Sequence, residues 1–340
     1  IYNYYFFIML SLISRKVISL IVFFFITLTL ALVLILPSYT VAKNKESANF
    51  SKNIIMDILP LMYQYCFNSP IYYSGEYQKS NKIDIVIANH INTIDFGIYL
   101  SLVKKFDDRN PFFVMKKDVV FIPTAGFILI SSPDLKLNRK IEQDHDNITK
   151  TIKKIKSGVI IIMPEGTRFT PDKQLKAQEY SRTNNLPVFK NTLYPKMKGI
   201  WTIINILKEQ GRLGHLIDFT NIVENFKGKA GYLPELLTTE LGNTFSIIES
   251  YSIPQDNSLK DYGDFKKWFL EIWKKKDFIL ENYQNYQFKK LNIEYKISSY
   301  ILVLILSIIL VYLTIQTKWL YLIITLLVSY LITFIKYKMI

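Results

Sequence analysis

Three short runs of mostly apolar residues stand in the middle of the chain, at 83–87 (IDIVI), 111–115 (PFFVM) and 159–163 (VIIIM). Each has the length of a β-strand, and uninterrupted rather than alternating hydrophobicity is typical of strands that are buried on both faces. Before the third run, a set of isoleucines falls on one helical face, which predicts an amphipathic helix. Acidic residues come early in this stretch and lysines come late, as the helix dipole favours, and Gly158 ends the helix. The isoleucines are Ile141, Ile148, Ile152 and Ile155. This alternation predicts an α/β fold in which helices flank a mixed sheet.

The two ends of the chain show a different hydrophobic pattern. Residues 17–36 carry no charge and are long enough to cross a hydrocarbon layer of ~30 Å as a helix at ~1.5 Å per residue. Residues 297–315 and 319–335 are also uncharged and are separated by only three residues, which predicts a membrane hairpin. Residues 37–39 (PSY) lack the small-x-small pattern of a signal cleavage site, which favours a retained anchor over a cleaved signal.

These patterns divide the chain into four parts. The predicted parts are an N-terminal membrane anchor (1–40), an α/β domain (41–255), a basic aromatic amphipathic segment (256–295) and a C-terminal membrane hairpin (296–340). In the third part, tryptophans, phenylalanines and isoleucines interleave with lysines, and two interpretations stay open. The segment is either a helix that lies on a membrane face or an ordinary amphipathic helix packed on the core.

Composition narrows the class of partner. The chain has 42 basic and 28 acidic residues, a net charge of +14 and a positive mean hydropathy of +0.16. It contains no nucleic-acid-binding motif and its lysines are spread along its length, so we expect no nucleic-acid partner. An anionic membrane surface or substrates that carry phosphates suit this charge better. The single Cys66 excludes an intrachain disulfide framework and fits a reducing compartment.

The sequence Asn89-His90-x-x-x-x-Asp95 follows directly after the first predicted strand. With His90 in the strand-to-helix turn and Asp95 in the first turn of the next helix, the carboxylate can fold back onto the imidazole. A carboxylate bonded to one ring nitrogen leaves the other nitrogen free to act as a base. The chain has no G-x-S-x-G nucleophile motif and no HExxH metal motif, so we expect neither a covalent nucleophile nor a metal. The pair therefore predicts a base that activates a hydroxyl of the substrate.

Basic residues also follow the predicted strands. Arg168 comes after Glu165, Gly166 and Thr167 at the end of the third strand, and its planar guanidinium suits a phosphate. The alternative for this stretch is a plain turn with a solvent-facing arginine. Ligands of such sheets bind beyond the carboxyl ends of the strands, which gives this stretch and His90 a shared location. Lys116 and Arg139 are commonplace singly, but with Arg168 they can converge on an anionic head group.

Together these stretches resemble the glycerolipid acyltransferases, which esterify lysophospholipids from acyl-CoA. The NHx4D motif of that family matches Asn89, His90 and Asp95, and its EGTR motif matches residues 165–168. The order and separation of four motifs over about 110 residues make the resemblance specific. The remaining matches are Lys116, Pro123, Gly126 and Arg139 for the second motif and Pro195 for the fourth. The stretches 138–146, 165–173, 186–199 and 273–283 further resemble the eukaryotic branch with lysophosphatidate acyltransferases gamma, delta and epsilon and lysocardiolipin acyltransferase.

The resemblance implies a glycerolipid acyltransferase-like fold, with residues 41–255 as the catalytic domain, and a role in phospholipid biosynthesis. It implies that His90, oriented by Asp95, takes the proton of a lysophospholipid hydroxyl, which attacks acyl-CoA directly. Lysophosphatidic acid is the expected acceptor, acyl-CoA is the co-substrate, and no other cofactor is needed. Glu165 is expected to position the acceptor or to order its loop, and backbone donors near Gly166 to stabilise the oxyanion. The substrate-binding residues are then Lys116, Arg139, Glu165, Gly166, Thr167, Arg168 and Pro195.

Three alternatives to this function stay open at the level of sequence. The acceptor is another lipid, such as lysocardiolipin, lysophosphatidylinositol or glycerol 3-phosphate; the protein is a membrane lipid-binding protein without turnover; or it is a lipid hydrolase. We expect an integral membrane protein of the endoplasmic reticulum or another endomembrane. Its catalytic domain is expected to face the cytosol, because acyl-CoA is a cytosolic donor. The sequence does not indicate the oligomeric state.

Overall fold

The computed structural model of the chain describes six stretches and a few isolated positions. The stretches are 56–107, 109–121, 134–138, 141–226, 231–254 and 259–293, and the isolated positions are 13–14, 16–18, 20–21, 129 and 305. Within these residues, no helix is both long enough and apolar enough to cross a bilayer. The three predicted membrane spans lie almost wholly outside the described residues, as do Pro123, Gly126 and Arg139, so these predictions stay predictions.

The described strands join in one sheet in the order β4-β3-β5-β2-β6-β7-β1-β8. Strand β6 pairs antiparallel with β7, and β1 pairs antiparallel with β8, whereas the other neighbours are parallel. The predicted mixed sheet is therefore confirmed. The strands are β1 (Ile71–Gly75), β2 (Ile83–Ala88), β3 (Pro111–Lys116), β4 (Leu135–Leu137), β5 (Val159–Ile162), β6 (Leu213–Val223), β7 (Thr244–Ser252) and β8 (Lys289–Lys290).

Helices cover both faces of this sheet. They are α1 (Phe96–Phe106), α2 (Ile141–Lys154), α3 (Pro171–Thr183), α4 (Lys198–Glu209), α5 (Leu233–Thr238) and α6 (Tyr262–Asn282). A short π-helix (Met62–Cys66) and 3₁₀ turns (Lys117–Phe121, Glu224–Phe226, Tyr283–Asn285) complete the described elements. Side chains of β2 alternate between two apolar clusters: Ile85 and Ile87 pack with α2, α4 and α6, whereas Val86 and Ala88 pack with α1. Burial on both faces explains why every residue of this strand except Asp84 is apolar.

Helix α2 forms where the isoleucine pattern predicts it. Ile148, Ile152 and Ile155 are all buried in the cluster that also contains Ile85 and Ile87. The helix follows β4 and precedes β5, so its apolar face lies against the sheet, as expected for a strand-helix-strand unit.

The sheet brings several loop starts to one edge. Strands β3, β5 and β2 are adjacent and parallel, and β6 is parallel to β2 on its other side. The carboxyl ends of these strands therefore lie at the same edge, where His90 follows β2 and Glu165 follows β5. This shared location is the one that the strand pattern predicts.

Helix α6 decides between the two interpretations of the basic aromatic segment. Phe265, Phe269 and Trp273 are fully buried in the core, whereas Phe278 is 62% exposed. Lys276 is also fully buried and forms an ion pair with Asp218 of β6. Burial raises the pKa of the Asp218 carboxyl to about 6. The aromatic face is thus used by the core, and the interpretation as an amphipathic helix packed on the domain is the one that the structure shows.

Candidate active site

His90 and Asp95 form a bonded pair at the end of β2. The Asp95 carboxylate lies immediately before α1, is fully buried, and places Oδ2 3.0 Å from His90 Nδ1. The backbone N–H of Ile91 donates to Oδ2 at 2.6 Å, and that of Asn92 donates to both oxygens at 3.0 Å. Because the carboxylate only accepts hydrogen bonds here, His90 Nδ1 carries the proton and Nε2 is left as the basic nitrogen.

Tyr99, one turn into α1, supports the same loop. Its O–H donates to the backbone oxygen of Asn89 at 2.6 Å and lies 3.2 Å from Asp95 Oδ2. Burial, with the Asp95 charge next to it, raises the pKa of Tyr99 well above its ordinary value. The phenol therefore stays protonated and serves as a hydrogen-bond donor.

Asn89 is held to the neighbouring strand β6. Its Nδ2 donates to the backbone oxygen of Asn221 at 2.8 Å, and the Asn221 N–H donates back to Asn89 Oδ1 at 2.8 Å. Ser246 of β7 donates to Asn221 Oδ1 at 2.6 Å. Asn89 therefore fixes the backbone from which His90 projects. Sequence reasoning missed Asn221 and Ser246, because both lie more than a hundred residues from the motif and carry no motif of their own.

Glu165 supports the histidine from the side of β5. It is only 2% exposed; its Oε2 accepts the His90 backbone N–H at 2.6 Å and its Oε1 accepts that of Leu193 at 3.0 Å. Burial raises the pKa of the Glu165 carboxyl to about 7. The two N–H donors act in the opposite direction and lower this pKa, because they favour the ionised form. Both oxygens are used by the backbone, and this geometry matches the expectation that Glu165 orders its loop.

The turn after Glu165 depends on a glycine. Gly166 has φ +67°, and a side chain there would also lie 3.2 Å from the Lys196 side chain. Its N–H donates to the backbone oxygen of Met163 at 3.0 Å, so this amide is already used and is not an oxyanion donor. Lys173 of α3 fastens the turn by donating to Thr167 Oγ1 at 2.8 Å and to the Arg168 backbone oxygen at 3.1 Å. Lys173 is a further residue that sequence reasoning missed.

Arg168 reaches back to the loop that contains His90. Its Nη1 donates to Thr93 Oγ1, and its guanidinium lies 4.5 Å from the ring centre of Tyr232. Thr93 in turn donates through its N–H and its hydroxyl to the Gly231 backbone oxygen, at 3.0 and 3.1 Å. A Cβ on Gly231 would lie 2.2 Å from the Asn92 Cβ, so this close approach requires glycine. The predicted phosphate-binding arginine is thus positioned by an aromatic ring that sequence reasoning did not identify.

The other predicted substrate-binding residues show no direct bond to His90, Glu165 or Arg168 among the described contacts. Lys116 ends β3 at the same edge of the sheet, is exposed, and pairs with Asp118. Pro195 is buried, and the next residue, Lys196, donates its N–H to the backbone oxygen of Pro164 at 2.7 Å. Pro195 therefore lies next to a residue that is bonded to the backbone just before Glu165. Arg139 lies outside the described residues.

A cavity of about 220 Å³ opens beside His90. His90 and Glu165 line it together with further polar residues and several apolar ones. The further polar residues are Asn89, Gln174, Lys190, Asn191 and Asn221, and the apolar ones are Ile91, Phe169, Ile222, Val223, Phe226 and Leu280. His90 therefore lines a cavity whose wall is partly apolar.

Comparison with known proteins shows which family the chain resembles. Residues 70–205 match the family model described as Acyltransferase. The eukaryotic lysophosphatidate acyltransferase branch is also confirmed among the relatives. The 1-acyl-sn-glycerol-3-phosphate acyltransferase gamma of Homo sapiens is 25% identical to this chain over 205 residues. The match covers 58% of this chain and 53% of that protein. The delta enzyme from Rattus norvegicus is 26% identical over 217 residues, covering 62% and 55%.

The chain spans about half the length of the curated relatives it matches. Among solved structures, it is similar to the 1-acyl-sn-glycerophosphate acyltransferase of Thermotoga maritima, with 15% identity and a TM-score of 0.44. That similarity covers 77% of this chain and 96% of the other. Asn221, Tyr232 and helix α6 all lie beyond the segment that matches the family model.

Proposed function

We propose that this protein transfers a fatty acyl chain from acyl-CoA to the free hydroxyl of lysophosphatidic acid and so forms phosphatidic acid. The observation that carries the proposal is the His90–Asp95 pair, whose unprotonated ring nitrogen belongs to a residue that lines a partly apolar cavity. A binding protein has no need of a base oriented by a buried carboxylate. The acceptor is chosen because the gamma and delta relatives are named 1-acyl-sn-glycerol-3-phosphate acyltransferases.

In this mechanism, the acceptor oxygen attacks the thioester carbonyl while His90 Nε2 takes the hydroxyl proton. The Asp95 carboxylate, 3.0 Å from Nδ1, stabilises the imidazolium that forms. The C–S bond then breaks, and the departing thiolate takes the proton from His90 to give free coenzyme A. The backbone amides that follow Gly166 meet the oxyanion, since the amide of Gly166 itself is used by Met163. The protein forms no covalent intermediate and uses no metal or prosthetic group.

The two substrates approach His90 from different sides. The acyl chain enters the cavity, whose apolar part is formed by Ile222, Val223, Phe226 and Leu280. The acceptor phosphate binds the Arg168 guanidinium, which the Thr93 hydroxyl and the Tyr232 ring hold in place. The sequence motifs add Lys116 and Arg139 as further candidates to bind the same phosphate.

The test is an assay of the full chain in membranes, with labelled acyl-CoA and a panel of acceptors. The panel contains lysophosphatidic acid, lysocardiolipin, lysophosphatidylinositol and glycerol 3-phosphate, and the His90→Ala variant is the matched control. We expect label in phosphatidic acid with wild type and none above background with the control. Label in another acceptor alone would replace the substrate, label only in free fatty acid would indicate a hydrolase, and lipid binding without transfer would indicate a binding protein.

We also propose that the domain faces the cytosol from a membrane of the endoplasmic reticulum or a related compartment. Lysines flank the predicted C-terminal hairpin on the domain side, at 289, 290, 296, 336 and 338, whereas Lys318 alone marks the far loop. Asn147 begins a sequon and is exposed on α2. A cytosolic domain leaves it unmodified, so a glycan on Asn147 of the mature protein would place the domain in the lumen.

A further inference from the structure

Two stretches that the resemblance singles out, 186–199 and 273–283, bind each other in the structure. The Asp277 carboxylate of α6 accepts backbone N–H groups from three consecutive residues: Lys190 at 2.9 Å, Asn191 at 2.7 Å and Thr192 at 2.9 Å. The Thr192 hydroxyl lies 3.2 Å from the same carboxylate, and Asn191 Nδ2 donates to the Asp277 backbone oxygen at 3.1 Å. One side chain thus holds a turn of the chain more than eighty residues away.

Trp273 extends this attachment by one residue. It precedes Asp277 by four positions, so both side chains lie on neighbouring turns of the same helix face. Its ring is fully buried, and Nε1 donates to the Leu193 backbone oxygen at 3.1 Å. Together the two side chains hold residues 190–193, here called the 190–193 segment.

The 190–193 segment leads directly to the catalytic histidine. The N–H of Leu193 donates to Glu165 Oε1 at 3.0 Å, and Glu165 Oε2 accepts the N–H of His90 at 2.6 Å. The segment also forms part of the cavity wall, because Lys190 and Asn191 line it. Leu280, one turn after Asp277, lines the same cavity. Helix α6 therefore both forms one part of the wall and holds another.

We propose that Asp277, assisted by Trp273, is a positioning residue that sets the 190–193 segment and, through Glu165, the place of His90. The inference rests on the proposed acyl transfer. A carboxylate suits this task because it only accepts hydrogen bonds, whereas an asparagine turns one of its two positions into a donor aimed at a backbone N–H. The reaction needs His90 placed accurately against two substrates, and small displacements are costly.

The test compares Asp277→Asn with Glu271→Gln in the full chain. Glu271 is exposed on the same helix and pairs with Lys274, so its variant removes the same charge without touching the segment. For Asp277→Asn we expect kcat to fall roughly 10- to 100-fold, with a raised KM for acyl-CoA and an unchanged KM for the lysophospholipid. Glu271→Gln is expected to keep wild-type kinetics.

A second pair of variants tests whether Asp277 and Trp273 act on the same segment. Trp273→Phe keeps an aromatic ring but removes the donor to Leu193, so we expect a smaller loss in the same direction. The fold-loss in kcat of the double variant should be smaller than the product of the two single fold-losses, because both side chains act through one segment. Independent, fully multiplicative losses would overturn the shared role.

Amide hydrogen exchange separates this inference from the proposed function. Peptides that cover 190–193 and 89–91 should exchange faster in Asp277→Asn and at the wild-type rate in Glu271→Gln. Faster exchange at 190–193 alone, with wild-type kcat and KM, would make Asp277 a structural brace and overturn the inference. If the wild-type protein transfers no acyl group, the proposed function fails, and exchange at 89–91 still decides whether Asp277 positions His90.

Discussion

Replacing Asp95 by asparagine removes the charge from the pair while keeping its shape. An amide oxygen in the place of Oδ2 can still accept the N–H of Ile91 and the Nδ1 proton of His90. The Asn92 N–H loses its bond to Oδ1 but keeps the one to this oxygen at 3.0 Å, so the loop and helix α1 should stay folded. What the variant loses is the negative charge that faces the imidazolium when His90 has taken a proton.

The structure sets the size of this loss. Two unit charges 3.0 Å apart attract by about 5.5 kcal/mol at an effective dielectric constant of about 20, which is an upper bound here because the amide keeps its hydrogen bond. At about 1.4 kcal/mol per factor of ten, the bound is a loss of roughly 10⁴ in rate. A general base typically contributes about 10²–10⁴. We expect kcat of Asp95→Asn to fall within that range, with both KM values little changed.

The assay follows labelled acyl transfer into phosphatidic acid in membranes that contain equal amounts of each variant. Thermal melting in detergent controls for folding. His90→Ala should lose at least as much activity, and the double variant should be no worse than His90→Ala alone, because the two side chains act as a unit. Wild-type kcat in a folded Asp95→Asn or His90→Ala protein would refute the oriented-base mechanism.

Three further predictions concern the residues next to this pair. Arg168→Lys keeps the charge but loses the planar fork, so the KM for the lysophospholipid should rise far more than that for acyl-CoA; a change in the acyl-CoA KM alone would contradict the phosphate role. Tyr232→Phe should keep the ring over Arg168 and near-wild-type kinetics, whereas Tyr232→Leu should raise the lysophospholipid KM; equal effects of the two variants would exclude the ring contact. Burial raises the pKa of Glu165 from 4.5 to about 7, so between these pH values the folded chain keeps a proton that the unfolded chain has lost. The free energy of unfolding should therefore fall as pH rises through this window, by up to about 3 kcal/mol. Glu165→Gln should remove this dependence in melting curves measured at several pH values. An unchanged dependence in that variant would contradict the raised pKa of Glu165.

Local patterns in the sequence determined three of the described strands, β2, β3 and β5, and the His90–Asp95 pair. The apolar run at 83–87 predicts a strand buried on both faces, and β2 contacts clusters on both sides. The isoleucine pattern predicts α2, and its described isoleucines are buried. The His90–Asp95 contact was also predictable, because the two residues are five positions apart and only a turn is needed to join them.

Only the tertiary structure decided what the apolar face of α6 packs against and which distant residues support the site. An amphipathic pattern shows that a helix has an apolar face, but a membrane and a protein core both satisfy that face. Asn89 bonds to Asn221, Arg168 contacts Tyr232, and Asp277 accepts from Asn191. In each of these pairs the two residues are far apart along the chain. Contacts of this kind leave no periodic trace in the sequence, because each depends on strand order, register and the close approach of separate loops. The sequence thus determines which groups can react, and the packing of the sheet and α6 determines where they are held.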